Sequence, residues 1–280
     1  MSSDERYTVP ALTRGLQLLM QFSRDERELS GAELARRLKV PRASIFRLLH
    51  TLEQLGFVER VGETTQYRLG VAVLRLGFEY LASMELTEHG RPVLDALRDA
   101  TGYSAHLVVR DGHEVVFVAK STGHHALFHS IQVGARLPAH ATVLGRILMA
   151  GMDTTALGDL FGGAPLKAYT THTPTSVKKL KTLIDQHQAL GYAISQGGFE
   201  TGISTIAAPV FDDRRAVVAA VSITVPAQQI EAPRTTVLVK AVQDAATQLS
   251  ARISHQTPRG ARAHPQAHPK THPHVQKLAA

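Results

Sequence analysis

Five basic side chains lie close together near the start of the chain, and no acidic residue separates them. They are Arg36, Arg37, Lys39, Arg42 and Arg47. Residues 34–52, which include all five, contain no Asp or Glu. Cations grouped in this way attract a phosphate backbone, because each contact releases counterions that had condensed on the nucleic acid. This segment therefore predicts the binding of a nucleic acid rather than catalysis.

Two short helices joined by a tight turn would hold these side chains. Ser30 followed by Glu33 is a capping box, in which each side chain bonds to the backbone N–H of the other residue, so we expect the first helix to begin at Ser30. Lys39 and Val40 end that helix. Pro41 fits the first position of the second helix, where the missing N–H would have had no partner.

An apolar stripe along the second helix predicts which side of it packs. The stripe recurs at steps of three and four residues and consists of Ile45, Leu48, Leu49, Leu52 and Leu55. The other faces carry Arg42, Ala43, Phe46, Arg47 and His50. One side of the helix can thus pack on the protein while the opposite side enters a groove of DNA.

A short hairpin is predicted after the second helix. Residues 57–60 and 66–69 read as strands, and residues 62–65 suit the turn between them. Two helices followed by a hairpin are typical of a winged helix-turn-helix, which predicts DNA binding by residues 1–70. The candidate DNA-binding residues are Arg36, Arg37, Arg42, Ala43, Ser44, Arg47, His50, Arg60 and Arg68. The alternative is a small helical hairpin with a solvated basic face.

The composition is that of a folded protein with two domains. Its 280 residues exceed one typical domain, and 44% of them are hydrophobic against 20% charged. No apolar run approaches the length of a membrane span, and the N-terminal residues lack the apolar core of a signal peptide, so we expect a soluble protein of the cytoplasm. The absence of cysteine excludes disulfides, thiolate catalysis and cysteine-based zinc sites.

The net charge of +7 is unevenly distributed along the chain. Residues 71–251 carry equal numbers of basic and acidic side chains, which suits a small-molecule or subunit-contact domain better than a second nucleic-acid surface. Residues 255–280 are rich in His and Pro and almost without apolar side chains, so we expect a disordered tail. The histidines of this tail would bind a metal weakly and unselectively, so no metal site is predicted. Residues 277–280 look like a vector remnant.

The rest of the chain alternates between helical and strand periodicity. Helices are predicted at 9–22, 71–85, 86–100, 143–150, 176–190 and 233–253, and strands at 103–109, 114–120, 127–133, 192–195, 203–211 and 216–225. Antiparallel strands with flanking helices predict an α+β fold of the sensory-domain kind. We interpret residues 71–85 as a connector helix, which could pair with its copy in a dimer, and residues 86–254 as the second domain.

Several blocks of this sequence resemble the IclR family of bacterial transcriptional regulators. The blocks are PRASIFRLLHTLEQLGFVER, VGARLPAHATVLGRILMA, GYAISQGGFETGISTIAAPVFD and AAVSITVP, in the family's order. The resemblance implies an N-terminal winged helix-turn-helix and a C-terminal GAF-like α/β sandwich that binds an effector. It also implies a dimer or a dimer of dimers on a palindromic DNA operator. We expect the connector helix to transmit effector binding to the spacing of the two DNA-binding domains.

The resemblance also assigns an effector site. The family's pocket wall falls on Ala126, His129, Val143, Leu144, Ser195, Thr205, Ser222 and Thr224. The residues themselves support part of this set, because Ser222 and Thr224 are two apart on one strand and so face the same side, with Thr205 on the neighbouring strand. Val143 and Leu144 fit a hydrophobic core equally well, and His129 fits an exposed strand edge equally well.

A small organic acid is the predicted effector. The N–H groups at the start of helix 143–150 favour an anion, and Arg136 and His140 could hold it or could brace the loop. The block around that helix most resembles regulators of aromatic-acid catabolism, including those of 4-hydroxybenzoate and protocatechuate. Gly197-Gly198, however, stands where many relatives have an acidic pair.

Three alternatives to this function remain at the level of sequence. The effector could be a short aliphatic or sugar-derived acid, or the protein could be an architectural DNA binder without a ligand, which the large neutral second domain disfavours. It could also be a small-molecule enzyme. The chain has no G-x-S-x-G, H-E-x-x-H, G-x-x-x-x-G-K-[ST] or G-x-G-x-x-G motif, so we predict neither an enzyme nor a bound cofactor.

Overall fold

A computed structural model of the chain describes residues 7–23, 25–123, 131–197, 199–200, 202–231 and 233–254. The predicted site residues Ala126 and His129, positions 127–130 of the predicted third strand, and the tail 255–280 lie outside the described residues. The chain forms two compact units, which divide between Ser83 and Met84. Among the described residues, no helix is both long enough and apolar enough to cross a membrane.

The N-terminal unit contains the predicted helices and hairpin. Its elements are α1 (Pro10–Leu19), β1 (Leu29–Ser30), α2 (Gly31–Leu38), α3 (Arg42–Gln54), β2 (Val58–Arg60), β3 (Gln66–Leu69) and α4 (Ala72–Ser83). β3 lies between β1 and β2 and pairs antiparallel with both. β1 was not predicted, because a strand of two residues is too short to show periodicity.

The start of α2 uses half of the predicted capping box. Ser30 Oγ accepts a hydrogen bond of 3.1 Å from the backbone N–H of Glu33, as predicted. The carboxylate of Glu33 does not return the bond to Ser30, since it accepts from the guanidinium groups of Arg36 and Arg37. At the other end, Lys39 has a left-handed backbone with φ of 53°. Pro41 is the N-cap of α3 rather than its first residue, so that prediction was wrong by one position.

One core joins α1, α2, α3 and the small sheet. Its buried members include Leu18, Leu34, Ile45, Leu49, Val58 and Tyr67. Leu48 and Leu52 are partly buried against the same core, as the predicted stripe requires. Leu55 is 60% exposed, contrary to the prediction. It is the C-cap residue of α3 and therefore lies beyond the last turn that faces the core.

The C-terminal unit is built around one antiparallel sheet. Its elements are α5 (Glu85–Thr101), β4 (Ser104–Asp111), β5 (Glu114–Ser121), β6 (Arg136–Pro138), α6 (Val143–Leu148), α7 (Thr154–Phe161), α8 (Val177–Leu190), β7 (Ala193–Gln196), β8 (Ile203–Phe211), β9 (Val217–Pro226) and α9 (Arg234–Ser254). The strand order is β6-β5-β4-β9-β8-β7. The neighbouring strands in this order are antiparallel to each other.

Different helices cover the two sides of this sheet. α5 and α9 pack on one side, where Gly90 of α5 lies close to Leu107 of β4. α6 and α8 pack on the other side, where Ile147, Ile184 and Ala207 join one core cluster. Side chains alternate between the two sides along each strand, so every second strand residue faces α6.

The structure corrects two predictions in this unit. Residues 131–133, the described part of the predicted third strand, are not a strand, and the neighbour of β5 is Arg136–Pro138 instead. α7 was not predicted, although Asp153 caps its start and Gly162 its end. The other predicted helix and strand bounds agree with the structure to within three residues.

A close approach fixes the position of α6. The short 3-10 turn Ala139–Ala141 precedes this helix, and Thr142 caps it by accepting a 3.1 Å hydrogen bond from the N–H of Gly145. A Cβ on Gly145 would lie only 2.0 Å from the carbonyl oxygen of Ala139. Only glycine therefore allows α6 to pack so closely on the turn before it.

Candidate DNA-binding and effector-binding sites

The outward side of α3 carries the central candidates for DNA contact. Ile45 and Leu49 hold the inner side of the helix in the core. The exposed residues of α3 include Arg42, Ala43, Arg47 and His50, whereas Ser44 is half-buried. Arg42 and Arg47 make no ion pair or side-chain hydrogen bond with any residue that the structure describes. Two guanidinium groups on this surface are therefore free to bond with phosphate oxygens or base edges.

The arginines of α2 are engaged within the protein. Arg36 and Arg37 both donate to the carboxylate of Glu33, and Arg37 also donates twice to Glu26, at 2.6 and 2.8 Å. These bonds lower the pKa of Glu33 to about 2, and they raise the pKa of Arg37. The side chain of Arg37 is only 21% exposed. Arg37 thus braces α2 against the loop before it, while Arg36 remains at the surface.

Both wing arginines have partners in the hairpin itself. Arg60 donates a 2.8 Å hydrogen bond to the hydroxyl of Tyr67 and lies over its ring. Arg68 donates to Glu59 at 2.5 Å. Both pairs link β2 to β3, so they stiffen the hairpin. DNA would have to compete with these contacts for the two charges.

A row of hydroxyl side chains crosses four neighbouring strands on the α6 side of the large sheet. Ser195 lies opposite Thr205, Thr205 lies opposite Thr224, and Thr224 lies opposite Ser104. Residues directly opposite on paired strands share a face, so the four hydroxyls form a line. Ser104 accepts a hydrogen bond from the N–H of Gly123. Thr205 and Thr224 make no side-chain hydrogen bond with a described residue.

A second row runs beside the first and contains two buried polar side chains. Ser222 lies opposite His106, and His106 lies opposite Lys120. Ser222 is 1% exposed and His106 is 3% exposed, yet Ser222 Oγ and His106 Nδ1 have no hydrogen-bond partner. Burial, and then the nearby charge of Lys120, lower the pKa of His106 to about 4. His106 is therefore a neutral ring at physiological pH, edge-on to Phe117 at 5.5 Å.

Sequence reasoning did not identify His106, Lys120 or Ser104 as candidates. The predicted strand 103–109 already implied that residues 104 and 106 share one face. What was missing was the pairing register, which places His106 beside Ser222. Buried polar groups without partners are rare in folded proteins, so this pair is a candidate position for a bound ligand.

The remaining candidates have mainly structural surroundings. Val143 and Leu144 are buried in the core cluster under α6. Arg136 bridges Asp111 at 2.5 Å and Glu114 at 2.7 Å, and His140 Nε2 bonds to the carbonyl oxygen of Lys167. Arg136 and His140 thus brace loops, the second of the two roles considered for them.

Comparison with known families decides what these two units are. The family description "IclR helix-turn-helix domain" matches residues 11–62, and "Bacterial transcriptional regulator IclR C-terminal" matches residues 78–251. The chain belongs to the IclR family. The suspected resemblance is confirmed, as is the fold class of a winged helix-turn-helix followed by an α/β effector domain.

Individual relatives cover most of this IclR-family chain. The Pca regulon regulatory protein of Pseudomonas putida is 36% identical over 214 residues, which are 76% of this chain and 73% of that protein. An IclR-family regulator from Alicyclobacillus acidocaldarius is 26% identical with a TM-score of 0.78, over 89% of this chain and 100% of that one. An IclR homologue from Microbacterium hydrocarbonoxydans, solved with 4-hydroxybenzoate, shares the fold at 23% identity with a TM-score of 0.75, over 87% of this chain and 98% of that one.

This IclR-family protein is accordingly a transcriptional regulator. Its helix-turn-helix domain makes DNA its partner, and its C-terminal domain belongs to a type that binds small-molecule effectors. The expectation that it is not an enzyme is confirmed by its relatives, which are regulators.

Proposed function

We propose that this regulator works in the cytoplasm, binds a palindromic operator through α3, and responds to an aromatic carboxylate bound on the α6 side of its large sheet. The observation that carries the effector site is the pair of buried, unpartnered polar groups, His106 and Ser222, beside the row of hydroxyls. We assign the DNA contact to the two arginines of α3 that have no described partner, Arg42 and Arg47. Their guanidinium groups would bond with phosphates and base edges.

The chemistry of this face suits a flat acid with a polar substituent. Lys120 supplies a positive charge beside His106, and burial lowers its pKa, so a carboxylate would restore its preference for the charged form. The hydroxyls of Thr205, Thr224 and Ser222 can donate to or accept from a phenolic hydroxyl. Phe117, whose ring lies 5.5 Å from that of His106, adds an aromatic neighbour to this face. The names of the Pca regulon relative and of the 4-hydroxybenzoate complex support the same class of ligand.

A second copy of the chain is the partner that the N-terminal unit lacks. Four apolar residues of α1 and its two caps are largely exposed on one stripe: Val9, Leu12, Leu16 and Met20. On α4, Leu74 and Phe78 are exposed at a spacing of four. A symmetric dimer would cover such stripes, and it would place two α3 helices on half-sites about one helical turn of DNA apart. A dimer of dimers would need a further interface, because the symmetric dimer already covers these stripes on both copies.

Regulation then requires that the acid bind one arrangement of the dimer better than another. Helix α4 leads from the DNA-binding elements to the division between the two units, so it is our candidate for the element that carries the change.

A ligand screen on the intact protein tests this proposal. The melting temperature should rise with 4-hydroxybenzoate or protocatechuate, and the same acid should change the affinity for a promoter fragment that the protein retards in a gel. Glyoxylate and gluconate serve as the aliphatic and sugar-derived acids. A response to either of these alone would show that the effector belongs to the alternative class of acids. Catalytic turnover of the acid without DNA binding would refute the proposal that the protein is a regulator.

A further inference from the structure

A buried arginine without a counterion lies on α6. Arg146 is 5% exposed, and its Nε has no hydrogen-bond partner. The structure gives its side chain no ion pair or hydrogen bond with any described residue. Burial alone lowers its pKa to about 10, so it stays charged at neutral pH. Burial of an unpaired guanidinium is strongly destabilising, so a buried arginine usually has a partner for its charge.

The ionisable neighbours of Arg146 are basic rather than acidic. Its charge lowers the pKa of His187 on α8 and contributes to the lowered pKa of His140. His187 also has a buried, unpartnered Nδ1. Arg146 on α6 and His187 on α8 are thus close enough to interact electrostatically, and each has an unused nitrogen atom. The pKa of His187 is lowered to about 4, so its imidazole is neutral at neutral pH, and no carboxylate affects either pKa.

A groove opens beside His187. It has a volume of about 1490 Å³, and its wall includes His187 together with Ile147 and Leu148, which follow Arg146 on α6, whereas the buried Arg146 is not itself part of the wall. Arg110 and Gln243 also line it, as does the segment 212–215, which carries two acidic and two basic side chains. The groove is large enough to admit a small metabolite.

From this arrangement we infer that Arg146 and His187 form a second ligand site, which binds the carboxylate or phosphate group of a small molecule entering from the groove. A planar guanidinium donates two parallel hydrogen bonds to such an oxyanion, and the imidazole donates a third. The site shares no residue with the proposed effector site, where Lys120, hydroxyls and a neutral ring lie on the sheet. It does not depend on the identity of the effector.

Anion-dependent stability of the intact protein tests this inference. Inorganic phosphate or succinate should raise the melting temperature more than chloride at equal ionic strength. Arg146→Met should abolish that rise. It should also leave stability in chloride unchanged or improved, because it removes a buried charge and keeps the volume. Arg146→Lys keeps the charge without the paired donors, so calorimetric titration should give a dissociation constant for phosphate at least about tenfold higher. Comparing the two anions shows whether phosphate or carboxylate is preferred.

Arg98→Met is the matched control. Arg98 is also partly buried, but it is paired with Asp95 and Asp99. Its loss should lower stability and preserve the response to phosphate. Ser222→Ala should preserve that response too, because it alters only the proposed effector site. The inference is overturned if the wild-type protein shows no specific anion response, if Arg146→Met retains it, or if Ser222→Ala removes it.

Discussion

The two units of this regulator present their polar groups in opposite ways. On α3, Arg42 and Arg47 are charged, exposed and unpaired among the described residues. On the large sheet, His106 and Ser222 are neutral, buried and unpaired. Exposed charge attracts a polyanion over a distance and is weakened by salt, whereas buried neutral groups act only on a molecule that replaces their missing hydrogen bonds. The exposed charges of the N-terminal unit thus suit long-range attraction of a polyanion, whereas the buried groups of the C-terminal unit suit short-range selection of a molecule.

The largest effect should come from the titration of His106. Its pKa is about 4 in the folded protein, against an ordinary value near 6.5, so between these values the unfolded chain binds a proton that the folded chain does not. The stability from this group is complete above about pH 6.5 and falls by roughly 1.4 kcal/mol per pH unit down to about pH 4. His106→Asn should reduce the slope of the free energy of unfolding, measured by urea titration at pH 4.5, 5.5 and 7.

His172→Asn is the control for that measurement, because His172 is an exposed histidine of the same unit. His140 and His187 also have lowered pKa values and add to the wild-type slope, so the difference between variants isolates His106. An unchanged slope in His106→Asn would mean that the ring is hydrated in solution.

The second-largest effect should come from Arg47→Ala, which should weaken operator binding. Loss of a base or phosphate contact costs about 1–3 kcal/mol, or roughly tenfold to a hundredfold in affinity. If the contact is to phosphate, the slope of log affinity against log salt should fall by about 0.9. Effector affinity should not change. Gel retardation at several salt concentrations measures both effects, with calorimetry for the effector.

Arg36→Ala provides the contrast, since this arginine is already paired with Glu33. We expect its loss to change operator affinity by less than about threefold. Equal losses in the two variants would show that pairing within the protein does not decide which arginines bind DNA.

Ser222→Ala should have the reverse pattern. Removing one buried hydroxyl that bonds to a ligand costs about 1.4 kcal/mol, so the affinity for the aromatic acid should fall about tenfold while operator affinity without the acid is unchanged. Ser204→Ala is a close control, because Ser204 is equally buried and unpartnered but alternates to the opposite side of β8. If Ser204→Ala has the same effect on acid affinity, the α6 side is not the binding face.

The smallest effect should come from Ser104→Ala. Its hydroxyl is already occupied by the N–H of Gly123, so acid affinity should change by less than about threefold. Thr205→Val, at a hydroxyl without a described partner, should cost more. Calorimetry with the same acid ranks the two, and a reversed order would move the ligand toward β4.

Local sequence patterns were sufficient to predict most helices and strands of this molecule. Ser30 caps α2 as its sequence implied, and strand Ile203–Phe211 has the predicted bounds. The proposed effector face was only partly predicted, because alternation places Ser222 and Thr224 on one side but cannot reveal that His106 lies opposite Ser222. Ion pairs between residues distant in sequence could not be predicted either. Glu26, which accepts hydrogen bonds from Arg37, is eleven residues before it. Register and long-range ion pairs depend on packing, which a single-sequence pattern does not encode.

The spacing of strands gives the hydroxyl row a further consequence. Its four members span three strand spacings, roughly 14 Å, but the two on the middle strands, Thr205 and Thr224, are only about 4.8 Å apart. The outer member Ser104 is already satisfied within the protein. In the proposed effector site, these two hydroxyls are therefore spaced to bond with groups on a single ring. A variant that frees an outer hydroxyl would extend the row by one strand, so that a longer acid could be selected without a change in fold.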